Sequence, residues 1–270
     1  MINALMKKYN SYLANFKILT NNYRHKHIVK KIYKYYSGKN DVFALSIQLK
    51  TKFLGFTILE YPNDMWFMQE ILTRVIPDYI IETGTFRGGS ALYYASLLEN
   101  INPKGKIITV DTDPQIHKSF HEIKTLPHLY KRANYLFDKY ITSIKASSID
   151  EKLVTSFKKK TKNKKVLVTL DSCHAYEHVL KELELYAPLV SKGSYLVVFD
   201  TCVDKIAEAV RKKQKKEVYS LVLTQDYKKI GGPGKAVKEF LLKNKDFQID
   251  PMEKRFFETH LPSGYLKKIN

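Results

Sequence analysis

The sequence predicts an α/β chain. The expected fold is a doubly wound, mainly parallel, seven-stranded sheet with a C-terminal antiparallel strand pair and a helical N-terminal extension. Three observations predict it. Between Asp78 and Asp200, short apolar runs alternate with stretches of helical periodicity, the pattern of βαβ units packed around one parallel sheet. A glycine turn, "GTFRGG", directly follows the first run. Near the end, "FQIDPMEKRFFETHLPSGYLKKI" reads as two strands around a turn, suited to close one edge of the sheet.

The elements follow in order. Residues 1 to about 60 are rich in Lys and Tyr, with apolar residues at loosely helical spacing, as in "HIVKKIYKYY". They are expected to form a basic helical extension, with the main domain running over 61–270. In "PNDMWFMQEILTRVIP", Asn63 or Asp64 is placed to cap a helix, and Pro77 to end it. The expected strands are "YIIET", "KIITVD", "ITSIKAS", "KVLVTLD" and "SYLVVFD". Between them "GGSALYYASLLEN", "PQIHKSFHEIKTL", "SIDEKLVTSFKK" and "AYEHVLKELELYAPLV" carry mostly helical periodicity. Beyond Asp200, "CVDKIAEAVRKKQ" reads as a helix, and "GGPGKAVKEFLLKN" as a turn and a helix.

Composition sets limits. Hydrophobic residues make up 44% of the 270 and charged residues 27%, enough to bury a core. No apolar run is long enough for a transmembrane helix, and the first residues lack a secretory leader's apolar core. A cytoplasmic protein is expected. Two cysteines, Cys173 and Cys202, make no disulfide framework and no zinc cluster. The formal net charge of +19 suits a polyanion or an anionic membrane surface. It equally suits a composition bias towards Lys, so charge alone names no partner. The basic N-terminal region is expected first to pack on its own domain; it is also the segment that would meet a membrane peripherally or serve a homo-oligomer interface.

The turn after the first strand lacks the G-x-G-x-x-G pattern and the Lys-Ser/Thr of a P-loop. Instead an acid, Glu82, stands two residues before Gly84. Carboxylate at that mouth would repel phosphate. A second acid, Asp111, ends the next strand, where a doubly wound sheet binds ribose. Together they describe a pocket for a cationic nucleoside without phosphate, such as S-adenosylmethionine. Glu82 would favour the ammonium side, directly or through water, Gly84 would admit the backbone, and Asp111 would accept both ribose hydroxyls. Thr85, Gly88 and Ser90 belong to the same turn, and Ser147 and Ser148, in "KASS", would flank the adenine.

The fourth and fifth strands end in "LDSCHAYEH" and "VFDT". Methyl transfer requires an aligned nucleophile and removal of its proton. Asp171 and His174 are the candidate catalytic residues, His174 as the base because histidine is the side-chain type suited to proton transfer near neutral pH. His178 reads as structural support. Asp171 and Asp200 are placed to hold Mg²⁺ jointly, with helix capping as their plain alternative.

Taken together, "YPNDMWFMQEIL", "PDYIIETGTFRGGSALYYASLLE", "ITVDTDP", "LDSCHAYEHVLKELELYAPLVSKGSYLVVFDT" and "GGPGKAVKEFL…GYLKK" resemble the cephalosporin hydroxylase family, also called rhamnosyl O-methyltransferase-like. The similarity runs from about Phe53 to the C-terminus. It implies a class I methyltransferase fold, an S-adenosylmethionine site, and often a divalent metal beside the acceptor hydroxyl. By position it marks Glu82, Gly84, Gly88, Ser90, Asp111, Asp171, His174 and Asp200. One departure stands out. The family commonly has Glu before the last acid, and this chain has Phe199. A site expecting three carboxylates has two here, which gives weight to His174 as a metal-free base.

The expected function is O-methyl transfer to a hydroxyl of a sugar, glycan or other small metabolite. A nucleic-acid methyltransferase, motivated by the charge, ranks lower for want of an RNA-binding module. A non-catalytic protein that binds S-adenosylmethionine is the third reading. An Fe(II) oxygenase is disfavoured, because its facial triad belongs to a β-barrel pattern.

Overall fold

Period-2 alternation in which both sets of residues are apolar marks strands buried on both faces, and it builds the centre of this molecule. The computed structural model describes residues 51–204, 231–251, 255 and 259–270. The expected N-terminal extension up to residue 50, and most of the helix expected after Cys202, lie outside the described residues.

The first described elements are two short strands, β1 (Lys52–Phe53) and β2 (Phe56–Thr57), paired antiparallel. This end of the 1–60 segment is therefore a hairpin where helix was expected. Leu54 (φ 48°) and Gly55 (φ 85°) turn the chain in the left-handed region, which a helix does not admit. Phe56 beyond the turn is fully buried.

Helix α1 (Pro62–Val75) starts on Pro62, with Tyr61 as N-cap. Asn63 and Asp64 lie inside the helix, so neither caps it. Asp64 is buried and accepts hydrogen bonds from Thr259 Oγ1, from the backbone N–H of His260 (2.8 Å) and from Tyr265 Oη (2.8 Å). Burial raises its pKa above the ordinary carboxylate value. The helix ends at Val75, just before Pro77, through Ile76 in a left-handed conformation.

The α/β repeat then runs β3 (Tyr79–Thr83), α2 (Gly89–Ile101), β4 (Lys106–Asp111), α3 (Ile116–Ile123), α4 (Pro127–Tyr140), β5 (Ile141–Lys145), α5 (Glu151–Lys160), β6 (Val166–Leu170), α6 (Tyr176–Tyr186) and β7 (Tyr195–Val198). Helix α7 (Pro233–Lys243) and strands β8 (Phe247–Ile249) and β9 (Tyr265–Lys268) complete it. Helix α4 is absent from the expected elements. It begins on Pro127 without a side-chain cap, and buries only Ala133, Leu136 and Tyr140. A stripe that sparse gives a weak periodic signal.

The seven strands lie in the order β5-β4-β3-β6-β7-β9-β8. Neighbours from β5 to β7 pair parallel, and β9 runs antiparallel to both β7 and β8. The expected class I methyltransferase architecture is present, including the antiparallel pair. Two apolar layers sandwich the sheet. Ile80, Ile107, Leu167, Val197 and Phe199 pack on one side, with α1 and α2. Ile81, Ile108, Val168, Leu196 and Val198 pack on the other, with α6 and α7.

Register is what positions the site. Thr83 pairs with both Val110 and Leu170, so the next residues, Gly84, Asp111 and Asp171, emerge side by side. The ladder continues one step beyond the strands: Gly84 N–H donates to Val110 O (2.8 Å), Asp171 N–H to Thr83 O (3.0 Å), and Ala146 N–H to Asp111 O (2.9 Å). Strand order reverses direction between β3 and β6, the place where a doubly wound sheet opens a crevice.

Candidate active site

A cleft of about 380 Å³ opens at these carboxyl ends. Gly84, Phe86, Asp111, Ser147 and Ser148 form one part of its wall, and Glu60, Asp171, His174, His178 and Asp200 another. Thus the structure brings Gly84, Asp111, Ser147, Ser148, Asp171, His174 and Asp200 into one cavity, as the sequence led one to expect.

Asp111 is held by the turn it faces. Its Oδ2 accepts the N–H of Phe86 (2.8 Å) and its Oδ1 the N–H of Asp113 (2.8 Å). A carboxylate has about four acceptor positions, so each oxygen keeps capacity for a hydroxyl donor from the cleft. A vicinal diol matches that arrangement.

Glu82, Thr85, Gly88 and Ser90 are not part of the cleft wall. Glu82 is 2% exposed. It accepts hydrogen bonds from Ser90 Oγ (2.6 Å) and Thr109 Oγ1 (2.5 Å). Thr85 is spent on Thr109 (2.7 Å between the hydroxyl oxygens). Gly88 is the N-cap of α2, at φ 78°. The alternation of β3 explains it. Glu82 lies within the strand, hydrogen-bonded between its neighbours, and braces the turn from behind.

Burial pushes the Glu82 carboxyl up to about 7, against the lowering effect of its two hydroxyl donors. A folded-state pKa above the unfolded one means that the native state binds more protons between the two values, so stability falls as pH rises through that window. The contribution is complete below the unfolded value of 4.5 and lost as pH passes about 7, worth about 3 kcal/mol at most. Glu82→Gln should flatten this part of the stability-versus-pH curve. Denaturant unfolding at a series of pH values checks it, and an unchanged slope between pH 5 and 8 counts against the assignment.

A polar chain runs behind the other wall. Ser148 Oγ lies 3.0 Å from His178 Nε2, which is 3.2 Å from Ser172 Oγ, and Ser172 donates to the buried Glu182 Oε1 (2.6 Å). His178 thus supports the cleft from within a network, in keeping with the structural reading.

The acids gather opposite. Donor atoms of Asp171, His174 and Asp200 lie within 4.8 Å of one another, and His174 Nε2 is 3.4 Å from Asp200 Oδ2. Asp171 does not cap α6, whose N-cap is Ala175; the helix expected after Asp200 lies mostly outside the described residues. Burial, then the charge of Asp200, holds the Asp171 carboxyl well above the ordinary range. Phe199 is 2% exposed and packs into the core beside Tyr265 and Phe67, so position 199 contributes to the sheet layer and offers nothing to the cleft.

One site residue escaped the sequence reading. Glu60, 8% exposed, reaches the cleft wall from the segment before α1, and its carboxyl is hydrogen-bonded to Asp171. Burial raises its pKa strongly, and the charges of Asp171 and Asp200 raise it further. Both carboxyls are raised and hydrogen-bonded to each other, so the pair holds a proton between them. The available signal was an acid inside the apolar run "FTILEYP", where acids are seldom buried without a partner.

The donor set fits a divalent cation. Two carboxylates and an imidazole converge, and the like-charge crowding that raises Asp171 is the strain a cation would relieve.

The family model "Rhamnosyl O-methyltransferase/CmcI" matches residues 46–269. Rhamnosyl O-methyltransferases of Mycobacterium tuberculosis (strain ATCC 25618 / H37Rv) and Mycobacterium bovis are each 32% identical over 180 residues, covering 66% of this chain and 65% of the relative. The match therefore spans just under two thirds of those relatives' length. The Mycobacterium leprae counterpart is 33% identical over 154 residues, covering 56% of this chain and 60% of its own length. Among solved structures, apo CmcI superposes with a TM-score of 0.51 at 17% identity, covering 82% of this chain and 76% of the other. A CmcI structure with Mg and SAM gives 0.52 at 16% identity, covering 82% and 78%. These two share the fold. The chain belongs to the rhamnosyl O-methyltransferase/CmcI family.

Proposed function

We propose that this chain transfers the methyl group of S-adenosylmethionine to a hydroxyl of a sugar, with a deoxyhexose such as rhamnose in a glycan as the first acceptor class. The observation that carries the reading is the pairing of two separate provisions in one cleft. Asp111 is oriented by backbone N–H groups for a ribose diol, and Asp171, His174 and Asp200 converge beside it. Family membership and the mycobacterial relatives' names support the sugar.

In this mechanism Asp111 accepts the ribose hydroxyls, and the turn at Gly84 lets the cofactor's chain approach the backbone. The acceptor oxygen attacks the methyl carbon in line with the departing sulfur. The C–S bond breaks as the C–O bond forms, and the sulfonium leaves as a neutral thioether. The hydroxyl proton passes to the His174 imidazole, and Asp200, 3.4 Å from Nε2, stabilises the imidazolium that results. Asp171 holds the acceptor hydroxyl, itself fixed by its hydrogen bond with Glu60. Asp171 and Asp200 would hold a magnesium-class cation, which when bound supplies Lewis acidity that lowers the acceptor hydroxyl's pKa.

The test joins binding and turnover. Calorimetry with S-adenosylhomocysteine should show binding to the wild-type chain, weakened at least about tenfold in Asp111→Ala, the loss of one to two charge-assisted hydrogen bonds. Mass spectrometry of rhamnose-bearing glycans incubated with S-adenosylmethionine should show the gain of one methyl group. Binding without methylation of any sugar acceptor would leave the cofactor assignment standing and overturn the acceptor. Unchanged affinity in Asp111→Ala would overturn the pocket.

A further inference from the structure

Asp200 belongs to two clusters, and only one of them is the cleft. On its other side stand Cys202, two residues further along the chain, and His260, just before β9. Donor atoms of Asp200, Cys202 and His260 all lie within 4.8 Å of one another. We propose that these three residues form a binding site for a zinc-class cation at the edge of the cleft.

The donor chemistry sets the ion. Thiolate, imidazole and carboxylate together suit Zn²⁺, whereas Mg²⁺ takes oxygen ligands and avoids sulfur. The Asp171–His174–Asp200 cluster has no sulfur, so the two clusters select different ions. Cys202 and His260 are not part of the cleft wall, so the proposed site stands beside the catalytic cavity and meets it only through Asp200. It goes beyond the methyl-transfer reading and does not depend on which group the cleft methylates.

The scaffold around the three donors is anchored. Cys202 N–H donates to the His260 carbonyl (3.0 Å), and Thr201 Oγ1 donates to the Pro262 carbonyl (2.9 Å). These two bonds fasten the chain after β7 to the chain before β9. His260 N–H donates to the buried Asp64 (2.8 Å), and its ring stacks on Tyr61 with centroids 4.7 Å apart. Asp200 holds a left-handed backbone at φ 52°, a conformation costly for a residue with a Cβ and one that clusters at functional sites. Metal-site ligands need such support to keep their geometry.

Coordination would release the Cys202 thiol proton to solvent and leave a thiolate–metal bond. Three protein ligands leave a fourth position for water. Because Asp200 also faces His174, a zinc-class ion here would compete for the carboxylate that steadies the proposed base, and so couple the C-terminal loop to turnover.

Cobalt(II), which reports thiolate ligation by colour, is the probe. Titrating the full-length chain with Co²⁺ should produce a thiolate-to-cobalt charge-transfer band that Zn²⁺ bleaches and Mg²⁺ does not. The band should vanish in Cys202→Ser, persist in Cys173→Ser and Asp171→Asn, and require more than about 100-fold more Co²⁺ in His260→Ala. Circular dichroism shows whether each variant is folded. Absence of the band in the wild-type chain overturns the proposal without recourse to any variant. So does a band that survives Cys202→Ser, whether or not it is then lost in Cys173→Ser.

Discussion

Asp171→Asn should lower kcat by about 10²-fold, the cost of misplacing the attacking hydroxyl, while leaving S-adenosylhomocysteine affinity nearly unchanged. The substitution keeps the side chain's shape. The backbone N–H of Asp171 still donates to Thr83 O (3.0 Å), so the end of the sheet is unaltered. What disappears is the carboxylate that faces the acceptor, while the ribose acid Asp111 keeps its own N–H partners. Glu60 supplies the companion experiment. Its hydrogen bond lowers the Asp171 carboxyl's pKa. Glu60→Ala removes that partner, so the Asp171 pKa should climb and the acid limb of the pH–rate profile should move to higher pH. Glu60→Gln keeps an N–H donor at the same place and should move the limb much less. Kinetics across pH on purified variants checks both. Equal profiles for Glu60→Ala and wild type would remove Glu60 from the mechanism, and wild-type turnover in Asp171→Asn would remove Asp171.

The legible parts of this molecule were those in which one local pattern had one spatial meaning. Each expected parallel strand is present to within two residues at either end, because these runs are too short for a helix and are rich in β-branched residues. Placing Asp111 and Asp171 in one cleft followed from topology alone, since both residues end parallel strands and the register of β3 with β4 and β6 does the rest. Side-chain direction was the weaker inference. Glu82 read as a ligand because it precedes the turn, yet its place within β3 turns it to Ser90 and Thr109. Glu60 was hidden for the opposite reason. It lies outside any α/β unit, and only the tertiary approach of the hairpin and α1 to the sheet brings it to Asp171. Asp64 shows a third kind of failure. Its sequence context matches an N-cap, but Pro62 starts the helix earlier, and the carboxyl serves partners about 200 residues away. The distant pairing of Asp200 with His260 likewise had no sequence signal, because it depends on how β9 returns beside β7.

Gly84→Ala tests the turn itself, and its cost separates into two parts. Gly84 has φ 87°, a region that L residues occupy at a penalty of about 1–2 kcal/mol. In addition, a Cβ at this position would fall well inside van der Waals contact with the carbonyl group of Asp171. That neighbour is backbone, fixed in the β3–β6 ladder, so it cannot rotate away as a side chain could. Overpacking against a rigid neighbour costs about 1–3 kcal/mol more. The sum, on the order of 3 kcal/mol, corresponds to a fall in Tm of roughly 6–12 °C for a domain of this size. Gly193 provides the control, because it has φ 78° and a Cβ there would meet nothing within 4 Å. Gly193→Ala therefore carries the backbone penalty alone and should lower Tm by roughly 2–8 °C. Only Gly84→Ala should also weaken S-adenosylhomocysteine, since relieving its clash must part the tips of β3 and β6 where the cleft opens. Thermal unfolding of the two variants, followed by calorimetry on each, measures the difference. If Gly84→Ala matched Gly193→Ala in both, the close approach of the turn to Asp171 would have no energetic consequence, and the cleft would not owe its shape to that contact.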